Sequence, residues 1–250
     1  TGKYGQTRGK AKVGMVNRQR QIPKPVLIFA IIFILALAAL AIVPVVYALL
    51  FGDHGVKTEG IKAEGARPAT TEVDGVWDVT NELGPNQTSA GFTFFEILPA
   101  ERKMTSGSTR EVEGEVQIEA GTLTAGEITV DMRSVATDND RRDVNVRRSI
   151  LNTDDYPTAT FSVTEPADVS QLPSDGTVGT VTLTGDLTIR GETNRITHEF
   201  EALRTGDNIV VAGDIPISRE DFGVKTPELV AAKIADEGEV NIRLNLEKVR

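Results

Sequence analysis

The sequence predicts an all-β domain standing behind a single membrane-spanning helix. Three observations carry that expectation. Val26 to Phe51 form 26 consecutive residues without a charge. From Val76 onward, apolar residues recur at every second position, the pattern of half-buried strands. Only two short stretches break that alternation with helical spacing.

The apolar stretch comes first. As a helix it is about 39 Å long, against a hydrocarbon core of about 30 Å. The apolar region of a cleaved secretory signal is only about 7–15 residues, so residues 25–51 read as an uncleaved signal anchor. Lys3, Arg8, Lys10, Lys12, Arg18, Arg20 and Lys24 precede it, with no acid among them. The positive-inside rule then puts residues 1–24 in the cytoplasm as a basic tail and the rest outside the cell membrane. Tyr47 suits the outer interface, and Pro44 reads as a kink tolerated by packing. Residues 52–73 (GDHGVKTEGIKAEGARPATTEV) lack periodicity and read as an extracytoplasmic linker. Residues 74–250 are the folded domain.

The strands follow in order. Trp77 and Val79, with Leu83 beyond, open the series. Phe92 and Phe94 mark the next strand. Val112, Val116 and Ile118 alternate with acids, and Ile128, Val130 and Met132 follow. Phe161 and Val163 alternate with Thr and Ser. Val181, Leu183, Leu187 and Ile189 alternate with Thr and Asp; Ile196, His198 and Phe200 alternate with Thr and Glu. Val211, Ile215 and Ile217 precede a last strand with Val240, Ile242, Leu244 and Leu246. One helix is expected at RRDVNVRRSIL, capped by Asp140, with Val144 and Leu151 on its apolar side. A second is expected from Thr226-Pro227-Glu228 through LVAAKIAD to Gly238. Strands with one apolar face must bury those faces together, in a closed barrel or a two-sheet sandwich. Periodicity alone leaves both open.

Composition excludes several functions. The chain carries −9 overall, and beyond the span 20 basic residues face 36 acidic ones. Such a surface repels phosphate backbones, so no nucleic-acid partner is expected. Without cysteine there are no disulfides, thiolate metal sites or cysteine nucleophiles. No GxSxG, P-loop, GxGxxG after a strand or HExxH occurs, so neither an enzyme nor a metal or cofactor site is expected. The DNDRRD run lacks the glycine and distal Glu of a calcium loop. Asn86-Gln87-Thr88 is a glycosylation sequon.

Four motifs stand in register over residues 75–249. RRDVNVRRSILNTDDYPTATF resembles the RD-x-H-L-R-S … YP-x-x-x-F segment of the YceI-like family. GDLTIRGETNRI is similar to its G-x-L-T-I-x-G-x-T strand and turn, DFGVKT to its late D-F-x-I motif, and VWDV to its opening strand. The resemblance implies an extended, eight-stranded antiparallel, lipocalin-like barrel with one or two short helices, holding a polyisoprenoid or isoprenoid quinone. The chain departs from the family at Asn145, where the family has His, at Thr109, where it has an aromatic, and at His198, where it has an aliphatic residue.

The expected barrel lining is Phe92, Phe94, Val181, Leu183, Leu187, Ile189, Ile196, His198, Phe200, Ile242 and Leu244. His198 reads either as a hydrogen-bond donor to a ligand head or as a satisfied interior histidine. Arg141, Arg142, Arg147 and Arg148 read either as a pyrophosphate or acidic-partner site or as partners of Asp138, Asp140, Asp143, Asp154 and Asp155. Two functions follow. The first is a membrane-anchored carrier of an isoprenoid lipid or quinone, of polyprenyl or menaquinone type. The second is a structural subunit of a membrane complex, such as a respiratory assembly. In the second, Ala36, Ala38, Ala39 and Ala41 would pack the 1–51 segment on partner proteins.

Overall fold

Each alternating segment becomes an antiparallel strand because alternation puts every apolar side chain on one face. The computed structural model describes residues 57–97, 102–225 and 233–249. The expected tail and span lie outside the described residues. Among the described residues no helix is long and apolar enough to cross a membrane.

The strands are β1 (Gly75–Val79), β2 (Ser89–Ile97), β3 (Arg102–Thr109), β4 (Val112–Glu119), β5 (Thr122–Asp131), β6 (Thr158–Val163), β7 (Ala167–Asp168), β8 (Val178–Ile189), β9 (Glu192–Thr205), β10 (Asn208–Ser218) and β11 (Lys233–Lys248). Eight of them form a closed antiparallel ring, β1-β4-β5-β6-β8-β9-β10-β11, which β1 seals by pairing with both β4 and β11. Trp77 sits at that seal, opposite Val116 on one side and Lys248 on the other. Long β11 shares one edge between two partners: β1 along its end and the β2–β3 hairpin along its first part. Closure leaves the ring no free edge.

The barrel has two distinct ends. At one, a 3-10 turn (Met132–Ser134) leads to helix α1 (Asp140–Asn145), which runs into a π turn (Val146–Ile150). A second 3-10 turn (Arg219–Phe222) lies at the same end, after β10. At the other end sit Trp77, β7 and the turn after it, whose Val169 and Leu172 are buried.

Two expectations are corrected here. Helix α1 is capped by Asn139 rather than Asp140: the extended Asn139 accepts from Arg141 N at 3.0 Å and Arg142 N at 3.2 Å. The π turn adds a residue and shifts the phase, so Val146 is buried while Val144 points outward. Lys233–Asp236, expected to end a helix, belong to β11, where Lys233 pairs with Ile97 and Ile234 with Glu96. Cross-strand pairing there overrides helical propensity. Residues 226–232 of that expected helix lie outside the described residues.

The last part of the expected linker, residues 57–73, is fastened along the outside of the barrel. Lys57 Nζ donates to Asp214 at 2.9 Å and Glu239 at 3.0 Å. Burial opposes its charge, but these bonds outweigh burial and raise its pKa. Thr58 bonds Ser89, and Arg243 donates to the Gly60 carbonyl at 3.2 Å. Asn86 holds the Lys62 backbone through both its amide oxygen and its amide nitrogen, so the sequon asparagine is buried and engaged. Further on, Arg67 N donates to Thr205 and Ala69 bridges to Gly206.

A reversal of burial occurs beside this strap. Ala202, Ile209 and Val211 face inward, so Leu203 and Val210 face outward, yet they are 0% and 1% exposed. They lie level with the strap's bonds to Thr205 and Gly206. Asn241, also outward and 0% exposed, is satisfied by Thr93 at 2.7 Å and Asp214 at 2.6 Å. A buried amide without such partners would be costly. Leu203→Ala should therefore cost about 2–5 kcal/mol, as in a core, rather than the roughly ±0.5 kcal/mol of an exposed site. Chemical denaturation of the full chain in detergent measures it.

Candidate functional site

Inside the ring, inward residues of β4, β5, β6, β8, β9, β10 and β11 and of the β2–β3 hairpin face one another across a lumen. The lumen is not filled. It holds a cavity of about 250 Å³, larger than the ~150 Å³ apolar cavity that takes benzene in an engineered protein. Its lining runs from Ile118, Leu123, Val169 and Leu172 at the β7 end to Met132, Val146, Ile150 and Phe222 at the α1 end.

Four phenylalanines help keep the lumen open. Each lies against a glycine of a neighbouring strand instead of projecting across the lumen. A methyl group on Gly107, Gly185 or Gly213 would stand 2.5–2.8 Å from the ring of Phe92, Phe161 or Phe200 respectively. Gly238 sits under Phe94 in the same way. Such glycine seats, covered by cross-strand aromatics, are a recurrent device of curved sheets.

Of the eleven lining residues expected from the sequence, Phe92, Phe94, Val181, Leu183, Leu187, Ile189, Phe200, Ile242 and Leu244 border the cavity. Ile196 and His198 are not part of its wall. Ile196 is half-buried against the core, and His198 is half-buried with its ring edge-on to Phe200 at 5.0 Å and 83°. They lie where β9 parts from β10, whose pairing stops at Glu201–Ala212.

Other lining residues went unassigned from the sequence. Alternation marks Val116, Ile118, Ile128 and Val130 as strand residues without marking them as wall. Met132, Val135, Val146 and Ile150 close the α1 end, and Phe222 and Val224 come from the late DF motif. The only polar side chains on the wall, among the described residues, are Thr105, Arg142, Asn145, Thr160 and Arg219. Arg142 pairs with Asp138, and Arg147 Nη1 donates to the Val135 carbonyl at 2.9 Å. Asp143 is buried and takes Thr137 N and Oγ1, each at 2.6 Å. No group of three or more His, Asp or Glu side chains converges among the described residues.

Asp131 fixes the chain's turn into the α1 end. Its carboxylate accepts from Arg133 Nε at 3.0 Å, Nη2 at 2.9 Å and backbone N at 2.9 Å. The side-chain bond from Arg133 is the main cause of its lowered pKa. A carboxylate with a lowered pKa contributes stability above its unfolded value and loses it as the pH falls through the folded one. Asp131→Asn should thus destabilise the chain at pH 7. The gap should close as the pH drops below about 4. Denaturation at pH 7 and pH 3 reads this, and a gap indifferent to pH would assign Asp131 to neutral capping alone.

The sequence profile described as YceI-like domain matches residues 82–246. The curated Protein YceI of Shigella flexneri and that of Escherichia coli O6:H1 are each 32% identical over 106 residues, 40% of this chain and 51% of theirs. The chain thus spans about half the length of the curated relatives it matches. Among solved structures it is similar to a polyisoprenoid binding domain from Saccharophagus degradans implicated in plant cell wall breakdown. That likeness has a TM-score of 0.52 at 17% identity, over 69% of this chain and 98% of that one. Burkholderia cenocepacia BcnA is similar with a TM-score of 0.50 at 20% identity, over 63% of this chain and 94% of that one. At these identities the structural likeness is one of fold.

Proposed function

Since this chain belongs to the YceI-like domain family, we propose that it is a lipid-binding module and not an enzyme, its barrel sheathing the chain of an isoprenoid. The observation that carries this reading is the cavity itself. It runs between the two ends of the ring, its wall is almost wholly apolar, and the phenylalanines that border it are seated on glycines. An extended hydrocarbon chain matches that shape and chemistry. Removing its surface from water contributes about 25 cal/mol per Å². The polyisoprenoid binding domain of Saccharophagus degradans, similar in fold, supports the class of ligand.

Residues 25–51 would anchor the barrel outside the cell membrane, holding it where such chains are dissolved. A tethered barrel meets its ligand at the raised local concentration of a linked module. Both polyprenyl and quinone lipids carry the required chain.

Purification of the full chain in mild detergent, with mass spectrometry of its organic extract, tests the reading. A stoichiometric isoprenoid supports it. A clean extract accompanied by fixed amounts of other membrane subunits overturns it in favour of a structural subunit. Occluding the lumen is the sharper check. Leu183→Trp fills the cavity from β8, and Gly185→Ala drives Phe161 off its seat. Each should weaken uptake of a fluorescent isoprenoid at least about tenfold, equivalent to about 1.4 kcal/mol. Overpacking should cost about 1–3 kcal/mol of stability. Fluorescence titration and circular dichroism on the same samples separate lost binding from lost fold.

A further inference from the structure

We propose that the tip of the β2–β3 hairpin is a membrane-docking face, which seats Phe95 and Met104 in the headgroup zone of a lipid bilayer. This inference rests on the membrane-anchored reading above and names the surface with which the barrel meets the lipid.

The hairpin projects from the ring. β3 ends the sheet order, so only one of its sides is paired with a strand. Ser108 exchanges both backbone bonds with Ala136, at 2.9 and 3.0 Å, and so turns its N–H and C=O away from β2. In an antiparallel ladder Ser106 and Met104 then turn theirs the same way. Towards the tip no strand meets that side among the described residues.

Register sets Phe95 opposite Met104, two steps before the ladder ends at Ile97 and Arg102. Phe94 and Thr105 border the cavity, so alternation turns Phe95 and Met104 to the outer face. There they are 46% and 57% exposed. Seven large apolar side chains are exposed among the described residues, and these two alone face each other across a ladder. Single exposed apolar side chains are ordinary, but adjoining ones at a projecting tip call for a partner. The tip lies at the α1 end of the barrel, since Gly238 pairs with both Phe94 and Ile217, just before the Arg219–Phe222 turn.

The length of the chain selects the partner. The strap runs away from the tip: Thr58 bonds Ser89, and Lys62 meets Asn86. Lys57 reaches back on the tip side, to Glu239 opposite Thr93. The apolar stretch ends at Phe51, seven residues before Thr58, which a chain spans in at most about 25 Å. Ser89 and Phe95 are six steps apart on β2, or about 20 Å. A bilayer holding residues 25–51 is therefore within reach of the tip, and the barrel has little slack with which to stand off from it.

Charge permits the approach. Beyond the apolar stretch 20 basic residues face 36 acidic ones, which keeps most of the surface away from anionic headgroups. Around the tip and the start of β11 the sequence sets Arg102, Lys103 and Lys233 against Glu96, Glu101 and Glu237, and Asp236 is held by Arg219. The unpaired side of β3 limits the depth. Unpaired N–H and C=O groups are excluded from hydrocarbon but are satisfied among hydrated headgroups. The backbone thus stops at the interface, and the two apolar side chains alone go deeper.

The chain has no cysteine, so a single one can be introduced and labelled with an environment-sensitive dye. Met104→Cys puts the dye on the face. Val178→Cys puts it on an exposed residue at the β7 end, next to Gly179, which lies against Leu172 and Pro173. The full chain is placed in phosphatidylcholine nanodiscs that contain nitroxide-labelled lipid. The expected result is blue-shifted emission and nitroxide quenching at residue 104, strongest with nitroxides near the headgroup, and neither at residue 178. Phe95→Glu in the Met104→Cys chain should abolish both signals, with circular dichroism confirming that the fold is kept; the comparison of residues 104 and 178 stands without that variant. Equal exposure to water at both positions, in a chain retained by the nanodiscs, would overturn the docking face and leave the anchor intact. A chain that the nanodiscs do not retain would overturn the anchor and the docking face together. Signals that need two copies in one disc, with a disulfide linking unlabelled Met104→Cys chains, would replace the bilayer with a second copy.

Discussion

Closure of the ring is the constraint on which the rest of the molecule depends. A strand ladder leaves unpaired N–H and C=O groups at its edges, and a barrel removes them by joining first strand to last. Here the join is made by the five residues of β1, wedged between β4 and the end of β11 with Trp77 at its centre. Once the ring is closed, every inward side chain faces a shared interior. Eight strands leave just enough room for side chains to fill that interior or for one slender ligand. Which of the two occurs is decided by the seats of the large rings. With Phe92, Phe94, Phe161 and Phe200 lying over glycines, the volume they would otherwise occupy stays open. The glycines matter through what they lack: a Cβ at these positions would stand where the rings now lie.

The outside of the barrel answers to a second requirement. Residues 57–73 run along part of it, and the buried outward positions there carry either apolar side chains, such as Leu203 and Val210, or hydrogen-bonded polar ones, such as Asn241 and Arg243. Arg243 shows the balance. Burial lowers its pKa, while the Gln87 and Gly60 carbonyls receive its donors. The strap is therefore part of the fold rather than a lead-in to it. Its Val73 carbonyl accepts the indole N–H of Trp77 at 2.8 Å, joining the strap to the strand that seals the ring.

These two requirements explain what was legible in the sequence. Strands β4, β5, β8 and the first part of β9 announce themselves because one face is solvated and the other apolar, so their alternation is clean. β3 (RKMTSGST) is silent because its residues are almost all polar on both faces. The start of β11 reads as a helix because LVAAKIAD has helical composition and the strand is imposed by β2. The strap reads as linker because its order comes from side-chain bonds to distant residues, such as Lys57 to Asp214 and Glu239, which leave no periodic trace. In the lumen, alternation finds the wall wherever strands run paired. It misplaces Ile196 and His198 because β9 leaves β10 at Glu201, and inward-pointing no longer means lumen-facing there. The α1 contribution was hidden for a similar reason: the π turn shifts the helical phase, so a regular wheel puts Val144 rather than Val146 on the inner face.

The two ends of the cavity differ in polarity. At the β7 end, Val169 and Leu172 are 3% and 8% exposed and border the cavity with Ile118 and Leu123, while β7 pairs with β5 beside them. The wall there is apolar, and it offers a polar head nothing in exchange for its hydration, a cost of several kcal/mol for an unpaired group. At the α1 end the lining includes Arg142 and the exposed Asn145. On the lipid-binding reading proposed above, an amphiphile would lose least by entering tail first, with its chain towards Val169 and Leu172. On that reading, orientation would follow from the unequal polarity of the two ends, while the closing strand and the glycine seats keep the path between them clear.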